Sequence, residues 1–228
     1  DIPSLALHDR PHQRELSLSK RKEIIQAYYA SITLMDACVG KLMDALDKLK
    51  LTENTIVVFF SDHGYHLGHH GLWQKSDLFE GSARVPMIIS VPGERTVGKK
   101  STSLVELIDL YPTLAELCGL NKPSHLKGKS LVPILKDTTK SVREAAFTVT
   151  RARGKFSKKA VGQKPLGRTI RTTRYRYTEW GHDGKYGVEL YDYKTDPLEY
   201  INLARRKGNE SLVKLMQNKL HVTRSYTR

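Results

Sequence analysis

Two short apolar runs constrain the fold of this chain more than any other feature. Residues 55–60 (TIVVFF) and 86–91 (PMIISV) contain strand-forming residues without polar alternation. Such runs are typical of strands buried on both faces of a parallel sheet that helices cover. Before them, apolar residues recur at steps of three and four across 19–50, and a helix is predicted after them at 103–117. This order of elements predicts an α/β fold, with the long helix packed against the sheet.

The character of the sequence changes after residue 133. Residues 145–150, 169–180 and 188–193 have the partial alternation of an antiparallel sheet with one solvent-facing side. The GHDG sequence at 181–184 predicts a hairpin turn between the last two strands. A final helix is predicted from Glu210 to about His221. We therefore expect an α/β domain at 1–133 and a small antiparallel-sheet subdomain with a closing helix at 134–228.

Composition excludes some classes of protein. The chain has 228 residues, of which 39% are hydrophobic, and this composition is typical of a globular protein. No run approaches the roughly 18 apolar residues that would span a membrane. The first residues lack the features of a signal peptide, and the start without methionine suggests that the chain begins within a longer product.

Cys38 and Cys118 lie in apolar helical patterns and are expected to be reduced and buried, although a disulfide between them stays open.

The net charge of +14 is concentrated in residues 151–176, which are rich in lysine and arginine and contain no acidic residue. Such a segment favours polyanions, including nucleic acid, anionic membranes and sulfated glycans, but it is also compatible with a solvated basic surface. No helix-turn-helix, zinc-finger or RNA-binding aromatic pattern accompanies it, so no nucleic-acid partner is expected.

The segment 61–75 (SDHGYHLGHHGLWQK) carries the residues best suited to chemistry. It begins where the first predicted strand ends, which is where α/β sheets bind ligands. Asp62 and His63 are suitable partial ligands for a divalent ion, and Gly64 allows a sharp turn after them. From the residues alone, this is a loop that handles either an anion or a metal.

Segment 61–93 resembles the stretch of the sulfatase family, in the alkaline-phosphatase-like superfamily, in which Asp-His-Gly follows a strand and a lysine and Val-Pro-Met-Ile come later. The helix around 29–42, the LIDLYPTL sequence at 107–114 and the RTTRYRYT and ELYD sequences at 171–178 and 189–192 are similar to the same family. Among sulfatases, the chain looks most like the iduronate-2-sulfatase branch. The resemblance covers nearly the whole chain and implies the C-terminal part of an alkaline-phosphatase-like α/β sandwich.

The resemblance also implies roles for individual residues. Asp62 matches a ligand of a divalent cation, usually Ca²⁺, and His63 matches a residue at the metal and the nucleophile. Lys75 matches the lysine that contacts the sulfate and the leaving-group oxygen, where a cation stabilises developing charge. Tyr65 and His66 are expected to line the substrate pocket. The implied reaction is hydrolysis of a sulfate ester on a sulfated carbohydrate, and the implied setting is outside the cytoplasm.

The family's nucleophile is a formylglycine made from a cysteine in a Cys-x-Pro/Ala-x-Arg motif, and neither Cys38 nor Cys118 lies in one. We therefore expect the N-terminal half of the enzyme to supply it and this chain alone to be inactive. Two alternatives stay open. Four histidines at 63–70 would also suit a zinc-dependent phosphoester or phosphonate hydrolase of the same superfamily, and the basic segment would suit a non-catalytic polyanion-binding fragment.

Overall fold

The computed structural model describes residues 1–7, 13, 15–94, 96–153 and 165–222. Its first part contains α1 (Leu18–Lys48), β1 (Val57–Phe60), β2 (His66–Leu67), β3 (Trp73–Gln74), α2 (Glu80–Ala83), β4 (Met87–Ser90), α3 (Leu110–Leu117) and α4 (Val132–Lys136). Its second part contains β5 (Ala145–Arg151), β6 (Leu166–Thr172), β7 (Tyr175–Trp180), β8 (Val188–Asp192) and α5 (Glu210–Val222).

The long helix forms close to its predicted bounds, but its apolar stripe is not covered by a sheet. The Ser17 hydroxyl accepts a hydrogen bond from the Lys20 amide and caps the N-terminus of α1. No residue of α1 is buried, and Leu42 is 69% exposed. The helix contacts β2. Within the described part of the chain, this contact leaves the apolar stripe of α1 unburied, so the expected burial of the stripe against a sheet is not observed.

The two apolar runs form strands, but the predicted parallel, fully buried sheet is wrong for this chain. β1 and β4 pair with each other in antiparallel register, with Phe60 opposite Met87. Phe60 and Ile88 are 47% and 60% exposed. An uninterrupted apolar run indicates a strand suited to burial, but it fixes neither strand direction nor which chain segments cover the strand.

The second part is a four-stranded antiparallel sheet in the order β5-β6-β7-β8. The single strand predicted at 169–180 is two strands, β6 and β7, joined by a tight turn. The turn contains no glycine or proline and was therefore missed. The Thr172 hydroxyl stabilises it by accepting a hydrogen bond from the Tyr175 amide at 3.0 Å.

Both faces of this sheet are covered, so the predicted solvent-facing side is also wrong. On one face, α5 packs through Met216 and Leu220 over Ile170, Tyr177 and Leu190. On the other face, residues of the N-terminus and of the segment before α2 pack against Ala152 after β5 and against the sheet residues Trp180 and Tyr191. The residues that cover this face are Leu5, Ala6, Leu72, Leu78 and Phe79. The predicted turn at 181–184 joins β7 to β8, and α5 ends one residue from its predicted end.

Buried ion pairs cross the predicted boundary between residues 133 and 134. Arg143 pairs with Glu106 and Asp109 from the first part. Arg176 pairs with Glu80. The two cysteines are free, as expected, but both are exposed, because they lie on helical surfaces that the described residues do not cover.

Candidate functional site

Asp62 and His63 follow β1 directly, on a loop held against α2. The Gly64 amide donates a hydrogen bond to the carbonyl of Ser82 at 2.9 Å. A Cβ atom at Gly64 would lie 2.1 Å from the carbonyl oxygen of Gly81, so no other residue fits this approach without movement. The glycine therefore sets the position of the two preceding side chains.

Lys75 is brought to the same place from β3. Its Nζ lies 2.6 Å from Nε2 of His63. The residues on either side, Gln74 and Ser76, have positive φ angles of 80° and 86°. Such angles are uncommon for non-glycine residues and cluster at functional sites. The backbone therefore turns sharply on both sides of Lys75, the residue that matches the family's sulfate-contacting lysine.

The contacts of His63 define its tautomer. Nδ1 lies 2.9 Å from the Gly64 carbonyl oxygen, which can only accept, so Nδ1 carries the proton. Nε2 then accepts a hydrogen bond from the Lys75 ammonium. An Asp62 carboxylate oxygen lies 3.5 Å from the same Nε2, and the Asp62 side chain is 82% exposed. A carboxylate, an imidazole lone pair and an ammonium group therefore face one small region of surface.

Asp62 and His63 fit part of a cation site. Ca²⁺ takes about six to eight oxygen ligands, and Asp62 offers a carboxylate in an exposed position. Among the residues that the structure describes, no third carboxylate or imidazole joins this pair in a metal-binding group. Further oxygen ligands would have to come from outside these residues. The assignment of Asp62, His63 and Lys75 to the site stays a prediction.

Tyr65 and His66, predicted to line the pocket, lie in different surroundings. Tyr65 is partly exposed and stacks on Tyr28 of α1 with ring centroids 5.2 Å apart. His66 is buried, and its Nε2 lies 3.0 Å from Oδ1 of Asp77. Direct contact of His66 with a substrate is not supported by this position. Gly81 gives the ring its space, because a Cβ there would lie 2.6 Å from His66 Cε1.

Asp77 is a buried residue of this region that the sequence did not indicate. Burial alone would raise its pKa, but hydrogen bonds from His66, the Ser82 hydroxyl and the Phe79 amide lower the pKa below its usual value. The carboxylate therefore ties β2 to the start of α2. Its role depends on contacts eleven and five residues away, which no local pattern reveals.

The remaining histidines do not gather around Asp62. His70 stacks on Phe79 with centroids 4.0 Å apart, and burial lowers its pKa to about 4. A pocket of about 430 Å³ lies between the N-terminal end of α1 and the β2–β3 loop, with Arg21, His69 and Trp73 in its lining. Asp62, His63 and Lys75 do not line it. This arrangement does not favour the alternative of a zinc cluster formed by the histidines at 63–70.

The basic segment 151–176 is only partly described, since residues 154–164 lie outside the described ranges. Within the described part, three of its arginines form ion pairs, of which those of Arg171 and Arg176 are largely buried. Arg171 and Arg176 pair with Glu80, and Arg174 pairs with Asp192. These arginines contribute to the structure of the sheet, which weakens the hypothesis of a polyanion-binding module.

Sequence comparisons agree with this architecture. Residues 7–120 match the family model described as Sulfatase, and residues 68–226 match the model described as N-sulphoglucosamine sulphohydrolase, C-terminal. A sulfatase of Formosa agariphila is 31% identical over 98% of the chain. The iduronate 2-sulfatase of Mus musculus is 31% identical over 80% of the chain. The chain therefore belongs to the sulfatase family.

Solved structures show the same fold. A 2-O GAG sulfatase has a TM-score of 0.85 at 26% identity, covering 98% of this chain and 49% of that protein. The phosphonate monoester hydrolase of Agrobacterium radiobacter has a TM-score of 0.80 at 27% identity, covering 92% and 43%. The expected alkaline-phosphatase-like α/β fold with a small antiparallel sheet and C-terminal helix is confirmed. The chain spans 42% of the Formosa protein and 44% of the mouse protein, less than half of each.

None of the helices in the described ranges combines the length and the apolar character that crossing a membrane requires.

Proposed function

We propose that this chain is the C-terminal part of a sulfuric-ester hydrolase that acts on a sulfated sugar. The observation that carries the proposal is the 2.6 Å contact of Lys75 with His63 beside Asp62, at the end of β1. A specificity like that of iduronate-2-sulfatases is the finer form of the proposal. Its support is the 31% identity to the mouse iduronate 2-sulfatase.

The chemistry follows from charge. Cleaving a sulfate ester leaves negative charge on the bridging oxygen, and a fixed cation near that oxygen lowers the barrier. Lys75 supplies this cation, and its contact with His63 keeps the ammonium at the site before substrate binds. Asp62 would hold Ca²⁺, which neutralises charge on the sulfate group when bound. Nε2 of His63 can exchange a proton with the reacting groups once Lys75 turns to the substrate.

The nucleophile would come from an N-terminal half, as formylglycine. Two observations support a partner of this kind. The chain covers less than half of its relatives, and large apolar side chains are exposed on α1 and on the β1–β4 pair, including Leu34 (68%), Leu42 and Ile88. The partner would cover this surface and complete the sheet. Export from the cytoplasm belongs to the same proposal and rests on the family resemblance.

The test uses the full-length enzyme and sulfate release from a disaccharide that carries 2-O-sulfated iduronate. Lys75→Ala should lower kcat/KM by roughly 10²- to 10³-fold, as loss of one electrostatic contact does elsewhere. Lys99→Ala, which removes an exposed lysine on a loop, is the matched control and should leave the rate unchanged. Full activity of Lys75→Ala would show that the site is placed wrongly. The 228-residue chain alone should give no turnover.

A phosphoester or phosphonate hydrolase is the second candidate, favoured by the similarity to the phosphonate monoester hydrolase. The surroundings of His66 and His70 count against the zinc form of this activity, because both rings are engaged inside the fold. Assaying the full-length enzyme with a phosphonate monoester and with the sulfated disaccharide separates the two. Turnover of the phosphonate alone would replace the sulfatase proposal.

A further inference from the structure

A second group of metal-binding side chains lies on the small sheet, on elements other than those of the candidate site. It consists of Glu179 at the end of β7, Asp183 in the β7–β8 turn and His221 near the end of α5. One ligand atom from each lies within 4.8 Å of the other two. Nε2 of His221 is 2.8 Å from a Glu179 oxygen and 3.7 Å from an Asp183 oxygen.

These distances are close to what one small ion requires. Ligands at about 2.0–2.1 Å around tetrahedral zinc lie roughly 3.3 Å apart. The His221–Asp183 distance of 3.7 Å needs a small contraction and the His221–Glu179 distance of 2.8 Å a small expansion. One imidazole and two carboxylates suit zinc and similar transition metals better than calcium, which prefers a larger set of oxygens.

The surroundings orient these ligands. The second oxygen of Asp183 lies 2.6 Å from Nδ1 of His182, which leaves its first oxygen directed to His221. Partners of this kind fix the first ligands of metal sites. The turn places Asp183 at a φ of 52°, an uncommon angle that a side chain with local hydrogen bonds tolerates.

A buried hydroxyl near the group provides an independent observation. Tyr177 lies two residues before Glu179 on β7 and therefore on the same face of the sheet. It is fully buried, and among the residues that the structure describes its hydroxyl has no hydrogen-bond partner. A buried hydroxyl without a partner is costly, and a water held by an ion at this group would provide one.

We propose that Glu179, Asp183 and His221 bind one divalent transition-metal ion of the zinc class, with water completing the coordination. The ion links β7 and the adjoining β7–β8 turn to α5, whose His221 lies 42 positions after Glu179. Besides the apolar contacts of Met216 and Leu220, α5 is held to the sheet by the polar contact of His221 with Glu179, and the ion would join Asp183 to that contact. The site is therefore structural, and it fastens the closing helix to the sheet.

The test is Zn²⁺ titration of the 228-residue chain by calorimetry, with Co²⁺ as a spectroscopic probe. The double variant Asp62→Ala/His63→Ala serves as the background, so that binding at the candidate active site does not contribute. We expect one ion per chain, visible Co²⁺ absorption bands of a low-coordinate site, and a rise in Tm of about 5–10 °C when free Zn²⁺ is 100 times Kd.

Substitutions in this background identify the ligands. Loss of a residue that only hydrogen-bonds to a metal ligand lowers metal affinity by roughly 10- to 100-fold. His221→Ala and Glu179→Gln remove ligands themselves and should each weaken Zn²⁺ binding by more than this. His125→Ala, which removes an exposed histidine elsewhere, should leave Kd unchanged. Since His221→Ala could unfold the helix, circular dichroism checks that each variant folds, and Glu179→Gln gives a second reading. Binding weaker than roughly 100 µM, or Kd unchanged in both variants, would reduce the group to an ordinary ion pair.

Discussion

His66 donates a hydrogen bond from Nε2 to Oδ1 of Asp77 at 3.0 Å, and both side chains are 2% exposed. Asp77 accepts two more hydrogen bonds, from the Phe79 amide and the Ser82 hydroxyl. His66 follows His63 by three residues and Asp77 follows Lys75 by two, so the pair anchors both ends of the segment that carries these candidate-site residues. The geometry of the candidate site therefore depends on a buried interaction that does not itself face solvent.

Replacing Asp77 should destabilise the chain in a pH-dependent way. Asp77→Asn removes a carboxylate that accepts three hydrogen bonds, with an expected loss of about 1–3 kcal/mol in the free energy of unfolding at pH 7. Because the folded pKa of Asp77 is lowered, its contribution is present above the unfolded pKa and is lost as pH falls through the folded pKa. The difference between variant and parent should therefore shrink in acid. Urea unfolding at several pH values measures it.

The control for this experiment is Asp36→Asn, at an exposed position of α1. It removes the same charge without removing a buried acceptor and should leave stability nearly unchanged. Equal effects of the two substitutions would mean that the hydrogen bonds of Asp77 do not stabilise the fold.

The ion pairs of Arg143 and Arg174 should differ strongly in their effect. The Arg143 side chain is 8% exposed and pairs with Glu106 and Asp109, the latter fully buried. Arg143→Ala leaves two desolvated carboxylates without their cation, and a loss of about 3–5 kcal/mol is expected. Arg174 is half exposed beside Asp192, so Arg174→Ala should have a far smaller effect. Thermal unfolding of both variants tests this, and similar shifts in Tm would contradict it.

Glu189 is expected to make the chain less stable as pH rises. Burial raises its pKa to about 7, although Trp180 and Tyr191 donate hydrogen bonds to it. The folded state then holds a proton that the unfolded state releases near its ordinary pKa. Its stabilising contribution is present below the unfolded pKa and is lost as pH rises through about 7.

Glu189→Gln mimics the protonated form, so the variant should lack this loss. Its advantage over the parent should grow between pH 5 and 8 to roughly 2–3 kcal/mol. Urea unfolding at one-unit intervals of pH gives the comparison. A constant difference across this range would show that Glu189 does not take up a proton on folding.

The sequence predicted elements well where local periodicity decided them. The repeat of apolar residues placed α1 and α5 within a residue or two of their observed ends. Prediction from the sequence failed where strand pairing and burial depended on distant segments of the chain. The runs at β1 and β4 indicated strands, but their antiparallel pairing and exposed faces depend on which neighbours are present. The turn at Thr172 and Tyr175 was missed because a side chain replaces the usual glycine or proline.

In the candidate site, too, some features could be predicted from the sequence and others could not. The proximity of His63 and Lys75 followed from the family resemblance, which carries three-dimensional information that spacing lacks. The burial of His66 against Asp77 could not be predicted, because histidines within a cluster look alike in sequence. The group on β7 and α5 joins residues 42 positions apart, from Glu179 to His221, and had no local signal.

Two glycine substitutions should separate packing at the candidate site from general effects of added side chains. At Gly64 a Cβ would lie 2.1 Å from the Gly81 carbonyl oxygen, so Gly64→Ala must push the Asp62–His63 loop away from α2. We expect a loss of about 1–3 kcal/mol in the free energy of unfolding from this overpacking. Activity in the full-length enzyme should also fall, because His63 and Lys75 separate.

Gly40 lies within α1 with nothing within 4 Å of its added Cβ. Gly40→Ala should therefore stabilise the helix by about 0.5–1 kcal/mol. Thermal unfolding and sulfate release from both variants test the pair. A Gly64→Ala enzyme as stable and active as the parent would show that the close approach of Gly64 to Gly81 does not position the site.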